Sequence, residues 1–183
     1  MTTAQRTATS TWTVDKAHSS VEFAVKHMMV STVHGRFRDF QGTIYIDEEQ
    51  PQNSQVEAWA DVASIDTGIA DRDAHLRSDD FFNAERFPRI TFRSKRVEFD
   101  GSRKFRLVGD LTIRDVTREV VLDGEFDGRI VDPWGNERAG FSAEASISRK
   151  EFGVRWNQAL EAGGVIVGDS VKIILQVEAV KQA

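Results

Sequence analysis

The sequence predicts an all-β fold, an eight-stranded antiparallel barrel with short helical plugs. Three observations carry that expectation. Apolar residues recur with a period of two along most of the chain, turn residues separate the alternating runs, and too little helix is left to cover an open sheet. A strand turns alternate side chains to opposite faces, so each run names its own inward face.

Taken in order, the segment Ser19 to His27 has one face reading Ser19, Val21, Phe23, Val25, His27 and the other Ser20, Glu22, Ala24, Lys26. The same alternation gives Ile44 and Ile46, then Val56, Ala58, Ala60 and Val62, then Ile90 and Phe92. Further on come Phe105, Leu107, Gly109, Leu111 and Ile113, followed by Val120, Leu122, Gly124 and Phe126. Phe141, Ala143, Ala145 and Ile147 form the next run, and Val171, Ile173, Leu175 and Val177 the last. Asp100-Gly101 and Asp132-Pro133-Trp134-Gly135-Asn136 lie between neighbouring runs, the chemistry of tight antiparallel hairpins. Two breaks in the alternation read as short helices: Met28 to His34, stopped by Gly35, and Ile69 to Arg77, followed by Ser78-Asp79-Asp80. Pro51, Pro88 and Pro133 all fall at strand ends or turns, and no repeat or linker divides the chain. The expectation is one domain over residues 12–183, preceded by a disordered leader from Met1 to Thr11.

An antiparallel sheet with one apolar face packs on a second layer or closes on itself, and closure is the economical solution here. The lumen of such a barrel is either filled by side chains or holds one small ligand. Ala58, Ala60, Ala143, Ala145, Gly109 and Gly124 stand at inward positions where a filled core calls for Leu or Phe. Unfilled volume costs about 24 cal/mol per Å³ in core-truncation data, so a ligand-sized void implies a use. The expectation is a lipocalin-like barrel around an apolar pocket. Phe23, Phe92, Phe126 and Phe141 come from strands, and Phe37, Phe40, Phe81, Phe82 and Phe87 from irregular segments, to line the pocket or shut its mouth. Any one of these rings reads as ordinary core; rings beside tiny inward residues are the informative pattern.

Composition narrows the chemistry. With 40% hydrophobic and 29% charged residues, the 183-residue chain has the balance of a well-cored globule. Its 12 Phe and 4 Trp against 1 Tyr favour a dry interior. The lack of Cys removes disulfides, thiolate zinc sites, iron–sulfur clusters and thiol nucleophiles. A net charge of -5 with mixed signs offers no basic stripe for a nucleic acid. No run approaches the roughly 18 apolar residues of a membrane span, and the leader resembles neither a signal peptide nor a lipidation site. These features favour a cytoplasmic protein; an export leader lost upstream of this numbering would make it periplasmic or secreted instead.

His18, His27, His34 and His75 are the only imidazoles, and their spacing matches no compact metal motif. His27 and His34 flank a break in the alternation. His75 lies in Asp71-Arg72-Asp73-Ala74-His75-Leu76-Arg77-Ser78-Asp79-Asp80, whose alternating signs read as a solvated helix. Arg72, His75 and Arg77 are also the candidates to meet an anionic head group at the barrel mouth. No nucleophile elbow, phosphate loop or nucleotide fingerprint is present, so no catalytic residue, metal or cofactor is assigned.

Trp12-Thr13-Val14-Asp15, His18-Ser19, Phe23-Ala24-Val25-Lys26-His27-Met28 and Gly35-Arg36-Phe37 together resemble the opening of the YceI family of polyisoprenoid-binding, lipocalin-like proteins. The likeness continues in family order through Ser64-Ile65-Asp66-Thr67-Gly68, Arg72 to Ser78, Asp80-Phe81-Phe82, Phe87 to Phe92 and Gly109 to Ile113. It ends with Gly140-Phe141, Ser148-Arg149-Lys150-Glu151-Phe152-Gly153 and Val167-Gly168-Asp169. The resemblance implies a long apolar tunnel holding an isoprenoid chain, of the quinone or polyprenyl phosphate type, and a homodimer. It carries ligand contact over to Phe23, Val25, His27, Phe37, Phe81, Phe82, Phe92 and Phe152, with Phe40, Phe126, Phe141 and Trp156 added from the residues themselves. The expected role is carriage or sequestration, in transport, storage or a stress response. The rivals are an enzyme working on a lipid or quinone head group with His27, His34 and His75, and a structural barrel with a filled core.

Overall fold

The computed structural model describes residues 9–160 and 164–183. Eleven strands form one antiparallel sheet: β1 (Thr9–Val14), β2 (Ser20–His27), β3 (Ser31–Phe37), β4 (Phe40–Asp47), β5 (Gln55–Asp61), β6 (Ile65–Asp66), β7 (Arg89–Phe99), β8 (Lys104–Ile113), β9 (Val116–Val131), β10 (Glu137–Ser148) and β11 (Val167–Lys181). One α-helix, α1 (Ala70–Arg77), is found among the described residues. β11 pairs along its length first with β2 and then with β1, which closes the sheet. Likewise β1 and β2 pair with β4 and β3, and β5 and β6 pair with β4 and β3 in turn. β1–β2, β3–β4 and β5–β6 are therefore three interrupted staves, and with the five continuous strands β7 to β11 they make a closed eight-staved barrel in which neighbours in sequence are neighbours in space.

The three interruptions fall at one level of the wall. Asp15 to Ser19, Arg38-Asp39 and Val62 to Ser64 leave the ladder together and bond to one another: Arg38 N–H donates to Ser64 O, Asp61 N–H to Asp39 O, and Ser64 Oγ to Asp61 O. On the other side Asp15 N–H donates to Glu178 O, and the Glu178 N–H donates to Ser19 Oγ. Backbone groups freed by the break thus regain partners locally.

Sequence expectation and structure differ in several places, three of them in how the wall is built; in addition Phe37 and Phe40, expected in irregular segments, end β3 and open β4. β1 opens at Thr9, paired with Asp47, so Thr9, Ser10 and Thr11 belong to the wall rather than to a disordered leader; residues 1–8 lie outside the described residues. Met28 to His34 is not helical. His27 O accepts the Val30 N–H across Met28 and Met29, both at positive φ (50° and 65°), and β3 follows at once. Such a turn is normally written Asn-Gly, and Met-Met hides it. Third, Gly109 and Gly124 do not leave open space. A β-carbon on Gly124 would collide with the ring of Phe105, its cross-strand partner, and one on Gly109 would lie 2.6 Å from Phe92 Cζ. Gly35 receives the ring of Phe23 in the same way.

Each of these rings lies over a bare backbone and so hugs the wall instead of crossing the lumen. Gly124→Ala is therefore expected to lower unfolding free energy by about 1–3 kcal/mol through overpacking. Denaturant titration checks this, and Phe105→Leu in the same chain is expected to recover part of the loss through non-additivity.

Candidate functional site

The inward faces enclose a cavity of about 960 Å³. That is near the top of the range for small-molecule sites, about 300–1,000 Å³. Its wall is almost wholly hydrocarbon, with Val21, Phe23, Val25, Ile90, Phe92, Leu111, Ile173 and Leu175 around the middle. Ala58, Ala60 and Ala143 face it as expected, while Ala145 is packed into the wall with Leu107 and Leu122.

The two ends differ. At one end α1, the turns after it and the segment after β10 plug the barrel, and the lining residues there, Leu76, Phe81, Phe82, Ile113, Val154 and Val167, are buried or half-buried. Phe81, Phe152 and Val154 pack with Leu111, Ile113 and Val120 into the largest buried cluster. Arg149 clamps this plug. Its side chain donates to the carbonyls of Val154, Trp156, Gly168 and Val167 at 2.8–3.2 Å, and burial without a carboxylate bonded to it holds its pKa below the ordinary value. Arg114 ties the same plug to β8 by donating to Asp79 O and Phe81 O.

At the other end the lining residues Glu48, Phe99, Gly101, Ser102, Arg103 and Arg129 are exposed, which makes this the mouth. Arg129 of β9 reaches across it to Glu48 at 2.9 Å, and its guanidinium carbon lies 5.0 Å from the ring of the fully buried Trp12. Beside the mouth, Asp132 closes the β9–β10 turn. Its carboxylate accepts the N–H groups of Trp134 and Asn136 and the Arg138 Nε, and those bonds, Arg138 first, hold its pKa at about 2. Arg138 also bonds Asp15 and Glu178, which flank His18. Asp15, His18 and Glu178 are the one grouping with metal-ligand spacing among the described residues, and the Arg138 guanidinium already sits on the same carboxylate oxygens. The grouping reads as an ion-pair network.

Of the residues singled out from the sequence, Phe23, Val25, Phe37, Phe40, Phe81, Phe82, Phe92, Phe126 and Phe141 line the cavity. His27, Phe152 and Trp156 do not. Phe152 is 1% exposed behind the wall, and Trp156 packs edge-to-face with His75 and at a tilt with Phe81, ring centroids 4.8 and 5.4 Å away. Arg72, His75 and Arg77 sit on α1 at the plugged end, away from the mouth. Arg72 bonds Thr67, and His75 pairs with Asp80 at 2.8 Å. The register puts His27 opposite Ser31 and His34 opposite Ala24, on alternate faces of the β2–β3 hairpin, so the imidazoles do not converge. Sequence reading missed Trp12, Arg129 and Glu48; alternation through Trp12 and Val14 was the available signal for the first, and nothing local marks a pair 81 residues apart.

A YceI-like domain model matches residues 12–179. The chain belongs to the YceI family. A UPF0312 protein of Pectobacterium atrosepticum is 40% identical over 165 residues, covering 90% of this chain and 82% of that one. Among solved YceI-like folds, Burkholderia cenocepacia BcnA superposes with a TM-score of 0.79 at 25% identity, covering 90% of this chain and 98% of its own. A polyisoprenoid binding domain from Saccharophagus degradans shares the YceI fold at a TM-score of 0.67 and 14% identity, with 93% and 98% covered.

The depressed pKa of Asp132 carries a sign. A carboxyl with a folded pKa of about 2 against an ordinary 3.8 stabilises the fold fully above pH 3.8, and loses that contribution as pH falls through about 2. Asp132→Asn is expected to lower Tm at pH 7, and the gap to the parent chain to close between about pH 4 and pH 2. Melting curves across that range test it.

Proposed function

We propose that this protein binds a long isoprenoid lipid, of the quinone or polyprenyl phosphate type, in the barrel tunnel and carries or sequesters it without chemical change. The observation that carries the reading is a preformed 960 Å³ cavity walled by hydrocarbon and open at one end. Removing apolar ligand surface from water is worth about 25 cal/mol per Å², so a flexible hydrocarbon gains affinity along the whole wall without any specific bond. The family membership and the polyisoprenoid binding neighbour support the same ligand class.

The chemistry of the ends orients such a ligand. At the plugged end the Arg149 side chain is saturated by four backbone carbonyls and offers a head group little. At the mouth, Ser102, Arg103, Glu48 and Arg129 stand in water. The tail enters first and the head stays at the mouth, near Arg103 and Arg129 rather than near α1.

Native mass spectrometry of the purified protein, with organic extraction of what denaturation releases, is expected to find a stoichiometric isoprenoid. Release of a short or polar molecule instead sinks the isoprenoid assignment. Ala143 faces the lumen between Gly124 and Leu175, so Ala143→Phe is expected to block the tunnel and reduce uptake of an isoprenoid quinone at least tenfold, with the β-sheet circular dichroism unchanged. Undiminished uptake by that folded variant rejects the tunnel as the binding site.

A further inference from the structure

The hairpin joining β9 to β10 stands clear of its neighbours. The β8 ladder ends with Lys104 opposite Glu125, and after one more bond, from Phe126 N–H to Arg103 O, β9 runs on to Val131. Ile130 and Val131 are each 63% exposed and Trp134 is 81% exposed. Successive strand residues point to opposite faces, so the tip presents an exposed apolar side chain on each side, Ile130 beside Arg138 and Val131 beside Glu137. It is also rigid: Asp132 accepts the Trp134 and Asn136 N–H groups, Gly135 takes a φ of 86°, and the Asp132 N–H donates to Asn136 O. The fold fixes a tryptophan in water. Arg129, on the mouth of the tunnel, directly precedes Ile130.

We propose that this tip seats the tunnel mouth on a lipid bilayer, with Trp134, Ile130 and Val131 entering the boundary between head groups and acyl chains. The proposal rests on the carrier reading above and names where cargo is exchanged. Three side chains offer on the order of a few hundred Å², well below the roughly 800 Å² per partner of a stable protein interface. A bilayer needs no such area, because an interfacial Trp with aliphatic neighbours anchors by depth rather than by shape. The flanking charges are already paired, Arg129 with Glu48 and Glu137, Arg138 with Asp132, and Lys181 with Glu137. With the chain at -5 overall, attraction to the surface is apolar rather than electrostatic. The other apolar tip, Met28 to Val30 with Ile69, lies at the plugged end, where a bilayer would meet no opening.

The test uses the full chain and phosphatidylcholine vesicles doped with an isoprenoid quinone, alongside the same quinone in detergent micelles. Trp134→Ser is expected to reduce vesicle co-sedimentation about tenfold and slow quinone transfer from vesicles, with uptake from micelles unchanged. Met29→Ser is expected to change neither, and binding is expected to persist at high salt. Equal sedimentation of Trp134→Ser and the parent chain overturns the proposal, as does loss of sedimentation in Met29→Ser alone. A shift of Trp134→Ser from dimer to monomer in sedimentation velocity also overturns it, assigning the tip to a second copy. If the parent chain takes up no quinone even from micelles, the carrier reading fails first, and that failure is separate from the docking result.

Discussion

A closed wall of eight staves encloses a lumen that inward side chains can fill, so the interior of this protein is decided by where its rings lie. Phe23, Phe92 and Phe105 are large enough to take up much of it. Each lies instead over a glycine, Gly35, Gly109 and Gly124 respectively, where the missing β-carbon lets the ring settle onto backbone. Small residues in a barrel can therefore act in two ways. Ala58, Ala60 and Ala143 leave volume directly, and the glycines leave it indirectly by giving neighbouring rings a place out of the way.

An open lumen moves the burden of stability to the wall and the ends. Packing is not one central core but four buried clusters: one at the plug, one beside it around Phe37 and Phe40, one about Trp12 near the mouth, and one in the wall around Leu107 and Leu122. Between them the antiparallel ladder shifts register at Ser94/Arg96, Gly140/Phe141 and Val167/Val171, and at one level three staves break together and side chains take over. The Asp15, His18, Arg138, Asp132 and Glu178 network binds β1, β10 and β11 beside that level. Its charges are shared among several partners, so loss of one carboxylate unsettles both the closure of the barrel and the turn at the mouth.

Much of this was legible in the sequence because a barrel is nearly all alternation. The runs through Val120 and Leu122, Phe141 and Ala143, and Ile173 and Leu175 gave the correct inward face, since one slip in a period of two would have put charges inside. Where the chain leaves the ladder, the period says nothing. Phe81 and Phe82 face the lumen while Phe152 and Trp156, equally aromatic and equally irregular, pack behind it, and no local rule separates them. The Met28-Met29 turn failed for a different reason: its backbone takes the left-handed region that Asn-Gly prefers, and the closure of the hairpin holds two methionines there. The assignment of Arg72, His75 and Arg77 to a mouth failed because sequence order cannot say which end of a barrel a helix covers.

The asymmetry of the ends follows from connection length. Where α1 and the Arg149-clamped segment join their strands, the connections are long, and long connections have material to fold inward as a plug. At the other end the connections are short turns, which cannot reach across the lumen, so side chains such as Arg129 and Glu48 span it instead. An exposed ion pair of this kind is worth little, about 0–1 kcal/mol, and parts readily. A plug made of backbone and buried rings opens only with local unfolding, whereas a mouth bridged by one arginine opens by rotation of a side chain. The end that can open by side-chain rotation is thus the end where the barrel presents its exposed tryptophan.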